Sequence, residues 1–86
     1  VYTGPASYEN GASDGDSFTP AEVNLSSIDL LVFENPTDTS NPKDMRAVAY
    51  DYSTSRVLWF TTSDGEQIAN ATNLSTFSCR FMAIGR

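Results

Sequence analysis

From Ile28 onward, apolar and polar residues follow a period of two more closely than one of 3.6. That period belongs to strands, whose successive side chains point to opposite faces. Residues 28–34, IDLLVFE, are dense in branched and aromatic side chains, and Pro36 stops the run because proline has no ladder donor. Residues 36–44, PTDTSNPKD, read as a long polar loop. Strand character resumes at 45–52, MRAVAYDY, with Val48, Tyr50 and Tyr52 on one face and Met45, Ala47 and Ala49 on the other. STSR then reads as a tight hairpin connection into 57–62, VLWFTT, and Gly65 in the following SDG supplies the positive φ that such a turn requires. The last strand spans 77–85, FSCRFMAIG, with Phe77, Cys79, Phe81 and Ala83 set against Ser78, Arg80, Met82 and Ile84. Short strands at hairpin spacing predict an all-β chain, a small antiparallel β-sandwich of which a jelly roll is one form.

The first third is patterned differently. Residues 1–16 mix glycine, serine, asparagine and acid around isolated aromatics and hold neither period, so they read as an irregular N-terminal arm with a short strand near Val1 to Thr3. In TPAE, Thr19 can cap, Pro20 suits the first helical position and Glu22 can reach back, predicting one short helical turn at 20–24. The division is therefore an arm over 1–16 and one domain over 17–86.

Length limits what that domain can do. At 86 residues the chain builds one core, with a small stability surplus that neighbours or staples commonly augment. Cys79 is the only cysteine, so no internal disulfide exists, and its apolar strand predicts a buried reduced thiol. Five basic residues against eleven acidic ones give a net charge of −6, the wrong sign for neutralising phosphates. Nucleic acid and anionic membranes are excluded as expected partners. Nothing in the chain resembles a membrane span or a signal segment. Starting at Val1 rather than at an initiator methionine, it reads as a processed or partial chain.

Candidate chemistry is sparse. Histidine is absent, which removes the usual general base and the commonest metal ligand. Carboxylate pairs such as Asp14 with Asp16 or Asp51 with Asp64 read as solvated loop acids rather than an acid–base couple. Oxygen-rich DGD (14–16) and DTSNPKD (38–44) lack the ligand spacing of an EF-hand loop. No catalytic, cofactor-binding or metal-ligating residue is assigned, and the chain is read as a non-enzyme. Three glycosylation sequons occur, at Asn24, Asn70 and Asn73, in a composition that produces them by chance. The stretch NATNLS (70–75) is expected to be a corner launching the last strand, with Leu74 buried and Asn70 or Asn73 bonded to local backbone.

Taken together, FTPAEVNLSSIDLLV (18–32), VAYDYSTSRVLWFTTSDGEQIANATNLSTF (48–77) and CRFMAIG (79–85) resemble a family of small virion structural proteins of tailed bacteriophages, of the marine type. The resemblance covers residues 17–86. It runs through Thr19, Ala21 and Glu22 in the turn, Leu25, Ser26, Ile28 and Asp29 at a strand start, Tyr50-Asp51-Tyr52, and Asp64-Gly65. It continues through the corner Ala69, Asn70, Thr72, Leu74 and Ser75 to Arg80, Ala83 and Gly85. Val23 and Asn73 depart from the family's leucine and aspartate, and the 36–44 loop is longer. The resemblance implies a β-sandwich head component: a capsid decoration or cement protein on the outer capsid surface, with the major capsid protein as partner and a homo-oligomer, a trimer, as its state. The expected interface residues are Tyr2, Pro5 and Tyr8 on the arm and Pro36, Pro42 and Arg46 around the loop. A competing expectation is a carbohydrate-binding module of a phage fibre or secreted enzyme, using Trp59 and tyrosines as a stacking platform on an open face.

Overall fold

A computed structural model describes residues 1–11 and 14–86 as a small, almost entirely β fold, so the expected antiparallel all-β class is the observed one. The strands are β1 (Tyr2–Thr3), β2 (Asp16–Ser17), β3 (Ile28–Phe33), β4 (Thr37–Asp38), β5 (Asn41–Asp51), β6 (Arg56–Thr61), β7 (Phe77–Cys79) and β8 (Phe81–Gly85), with one 3-10 turn at Pro20–Val23. Six strands form a sheet in the order β1-β7-β4-β5-β6-β2, and β3 and β8 form a separate two-stranded ribbon. Every pairing is antiparallel.

The expected hairpin β5–β6 forms, with Val48 opposite Trp59 and Tyr50 opposite Val57, but Asp51 pairs with Arg56, so the connection is 52–55 rather than 53–56. The first half of the hairpin also differs from expectation. The polar segment 36–44 is not a loop: β4 forms at its start, and β5 begins at Asn41 and pairs back on β4 through a bulge. Thr37 and Asp38 also pair with β7, so backbone pairing on both sides outweighs a sequence with little β preference. The expected last strand is likewise two. Arg80 breaks it, leaving β7 in the large sheet and β8 in the ribbon. Glu34 fixes this corner, accepting the Arg80 N–H on its carboxylate at 2.9 Å while its own N–H donates to the Arg80 carbonyl at 3.1 Å.

Between sheet and ribbon lies an aromatic core. Tyr2, Phe18 and Trp59 come from the sheet side, and Phe33 and Phe81 reach in from the ribbon, with ring centroids 5.2–5.9 Å apart in tilted and edge-on contacts. Tyr8, Leu31, Val57, Ile68, Leu74, Phe77 and Cys79 complete the buried cluster. Cys79 is buried as expected, and burial pushes its thiol up to about 11, so it stays a protonated, inert packing group at neutral pH.

The arm corrects the sequence reading. Tyr2 and Tyr8 belong to the same core as the strands, and backbone bonds stitch residues 4–8 to the NATNLS corner. Gly4 N–H donates to Phe77 O, Tyr8 N–H to Thr72 O, Ala71 N–H to Tyr8 O and Leu74 N–H to Pro5 O, at 2.7–2.9 Å. Gly4 must be glycine here, because a Cβ would collide with the Leu74 carbonyl. Ala12 and Ser13 of the expected arm lie outside the described residues. The corner itself is as anticipated: Leu74 is buried, and Asn73 Oδ1 accepts the Ser75 N–H and hydroxyl at 2.9 and 2.7 Å. Asn70 instead reaches across to accept the Asn10 N–H. The short turn is also as anticipated, with the Glu22 carboxylate accepting the Thr19 N–H at 2.6 Å.

Candidate binding surfaces

The six expected interface residues do not share a surface. Tyr2, Tyr8 and Pro36 are buried inside the chain and cannot present side chains to a neighbour, which corrects that part of the expectation. Their sequence context, polar and glycine-rich, hid the fact that an isolated aromatic in an irregular segment is often the anchor holding it down. Pro5 is half-buried, Pro42 is exposed at the start of β5, and the Arg46 guanidinium carbon lies over the Phe77 ring, 4.7 Å from its centroid. Arg46 Nη1 donates to Asp44 at 2.6 Å, and its buried Nε has no hydrogen-bond partner among the described residues. It is therefore committed to the sheet more than to an outside partner.

Of the stacking platform of the carbohydrate reading, Tyr52 is exposed but Trp59 is not. Trp59 is 0% exposed, with its indole N–H donating to the Tyr2 hydroxyl at 3.0 Å. Tyr50 and Tyr52 meet edge-on at 87°, with Tyr50 donating to the Phe18 carbonyl and the Tyr52 hydroxyl accepting the Leu31 N–H. Neither pair offers coplanar rings to a sugar.

The open apolar surface lies instead on the ribbon. Leu30, Val32, Met82 and Ile84 are 44%, 46%, 56% and 48% exposed, and the register sets Leu30 opposite Ile84 and Val32 opposite Met82. These are two adjacent cross-strand pairs, so the four side chains form one patch. The Glu34–Arg80 ion pair closes one end of it. Sequence reasoning passed over this face although IDLLVF carried the signal: a strand apolar at consecutive positions is apolar on both sides, and a chain this small has material to cover only one.

No family model, curated protein or solved structure matches this chain. Its function is thus argued from its own surfaces.

One concavity accompanies the patch. A pocket of about 390 Å³ opens where β1, β2 and the 3-10 turn meet β8, walled by Tyr2, Phe18, Val23 and Phe81, with Pro5 at its margin. Asp16 and Glu22 are the carboxylates in its lining. The Tyr2 hydroxyl donates to Asp16 Oδ2 at 2.7 Å, and Asp16 is held above the ordinary carboxylate range, first by burial and then by the charge on Glu22, with Tyr2 and Arg56 acting the other way.

The remaining acids do local structural work. Asp51 accepts from the Ser53 hydroxyl and N–H, Asp64 from the Thr61 hydroxyl and Glu66 N–H, and Asp38 from Ser40. These bonds hold all three below the usual carboxylate range. Asp51 and Asp64 flank opposite ends of β6, too far apart to share a proton or a substrate. Among the described residues no cluster of three or more acids or cysteines is placed to hold a metal ion.

Proposed function

We propose that this chain is a tailed-bacteriophage virion protein, a capsid decoration protein that docks on the outer head surface and cements neighbouring capsomers. The observation that carries the reading is the ribbon face. Four large apolar side chains in register form an exposed patch on the two-stranded ribbon, and such patches on small proteins mark docking sites. The sequence resemblance supplies the partner, the major capsid protein. Burying the patch against the shell would remove apolar area from water and tie the chain to a surface that expands under packed DNA. Loss of capsomer contact then requires loss of that burial as well.

The ribbon replaces the arm as the working surface. A patch of four residues is small beside a standard interface of about 800 Å² per partner, so cementing by one copy would be weak. Repetition around a three-fold position multiplies it, which is why a trimer belongs to the proposal.

The test compares virions from the phage carrying this gene with virions from which it is deleted. Intact particles should survive heating and low salt that burst the deleted ones, and added purified chain should restore resistance. Equal resistance of the two particles, or no binding of the chain to deleted heads, would end this reading.

A further inference from the structure

The pocket beside Asp16 plays no part in docking through the ribbon. We propose that it binds a primary ammonium or guanidinium group carried on a short apolar stem. Three observations converge on that chemistry. The carboxylate is aimed: Trp59 Nε1–H donates to the Tyr2 hydroxyl at 3.0 Å, and that hydroxyl gives its own proton to Asp16 Oδ2 at 2.7 Å. The chain of donors therefore ends on Asp16, and both donors are fixed in the buried core.

The carboxylate is also uncompensated. Among the described residues nothing bonds to Asp16 Oδ1, and no basic group lies within ion-pair distance. Arg56, the base that acts on it through space, donates its Nη1 to the Gly15 carbonyl at 2.9 Å instead. A half-buried carboxylate without a cation carries a desolvation cost that an incoming cation relieves. Finally, the lining is mixed: half-buried Val23 and Phe81 stand beside Thr3, Asp16, Ser17 and Glu22, so a short stem meets apolar side chains next to the carboxylates, and about 390 Å³ falls within the usual range for small-ligand sites. An anion would meet Asp16 and Glu22, and is excluded.

The site has a built-in pH dependence. Groups facing Asp16 are Tyr2 from β1, Glu22 from the 3-10 turn and Arg56 from β6, and Val1, with the amino group of the given chain, lines the same pocket. A cation competes with the proton on Asp16, so affinity should rise with pH through the raised value of that carboxyl and level off above it.

The experiment is a ¹H–¹⁵N NMR titration of the whole chain with butylamine, butanol and N-acetyl-lysine N-methylamide. Butylamine should shift the amides of Asp16, Ser17, Val23 and Phe81, with butanol at least about tenfold weaker, the scale of one charge-assisted hydrogen bond. Asp16→Asn should cost butylamine about tenfold, and lowering the pH on the wild-type chain, which needs no variant, should reproduce that loss. If the lysine derivative binds as well as butylamine, the site accepts a side chain of another protein. If its flanking amides abolish binding, the site takes a free amine. Equal binding of butanol and butylamine, or affinity indifferent to pH and to Asp16→Asn, would overturn the proposal.

Discussion

At the junction of arm and sheet, both buried tyrosine hydroxyls find their partners within the chain, whereas on the ribbon's outer face four apolar side chains stay about half exposed. The two regions are made of similar material, aromatic and branched residues on short strands. What separates them is closure. Tyr8 shows how closure is reached: its hydroxyl accepts the Trp59 N–H and the Gln67 side-chain N–H, each at 2.9 Å, while the Trp59 carbonyl accepts the Ile68 N–H. A side chain thus stands in for a ladder strand where β2, only two residues long, has run out. The ribbon has a comparable substitute on its backbone, where the Tyr52 hydroxyl accepts the Leu31 N–H at 3.1 Å, but among the described residues nothing covers its outer face, and an uncovered apolar face is a surface for something else.

The sharpest way to break this contrast is to remove the arm. Deleting residues 1–8 strips Tyr2 and Tyr8 from the core, and truncating a buried aromatic costs about 3–5 kcal/mol. Two such losses approach the whole stability of a small domain, about 5–15 kcal/mol. The shortened chain should show no cooperative urea transition by circular dichroism. An unchanged midpoint would make the arm a detachable appendage after all.

A subtler cut keeps the ring and removes the oxygen. Tyr8→Phe leaves the Trp59 N–H buried without its acceptor, and an orphaned buried donor costs about 1–3 kcal/mol. The denaturation midpoint should fall with the slope unchanged, because the fold and its buried area are retained. A loss below a few tenths would show that β6 closes its edge some other way.

The strands were legible because period two survives wherever one side is buried: Phe77 and Cys79, which the alternation sets on one face, are both core in the fold. Two things were not. Thr37, Asp38 and Asn41 pair only because β7 and β5 lie alongside, a non-local cause with no local trace. Tyr2 and Tyr8 were placed on the outside because their neighbours are polar, yet burial is decided by the partner segment, here 68–77, far along the chain. The sites suffered the same way. Asp16 looked like any loop acid until folding set Tyr2 and Glu22 beside it.

Asp16 gives a smaller and signed effect. Its carboxyl is raised in the folded chain, so it favours the fold below its unfolded value near 4, and that contribution is lost as pH rises through the folded value. Glu34, Asp38, Asp51 and Asp64 are lowered and act oppositely: their contribution is present above about pH 4 and lost as pH falls through their folded values. Comparing Asp16→Asn with wild type isolates the first term. The variant should gain thermal stability relative to wild type as pH rises above about 4 through the raised folded value. A melting difference that stays flat across that window would show that Asp16 is not desolvated as the fold implies.

The smallest effect on stability should come from the ribbon, and that smallness is the point. Leu30→Thr with Met82→Thr keeps strand-compatible side chains and removes two diagonal members of the patch. Both positions are about half in water already, so urea unfolding should move by no more than about 0.5 kcal/mol, the usual range for surface changes. Binding to heads lacking the chain should nevertheless collapse, since central apolar contacts carry most of an interface's energy. A double variant that binds as wild type would place docking elsewhere on the surface. One that loses as much stability as Tyr8→Phe would show the outer face to be as structural as the inner, and the contrast between the two regions would disappear.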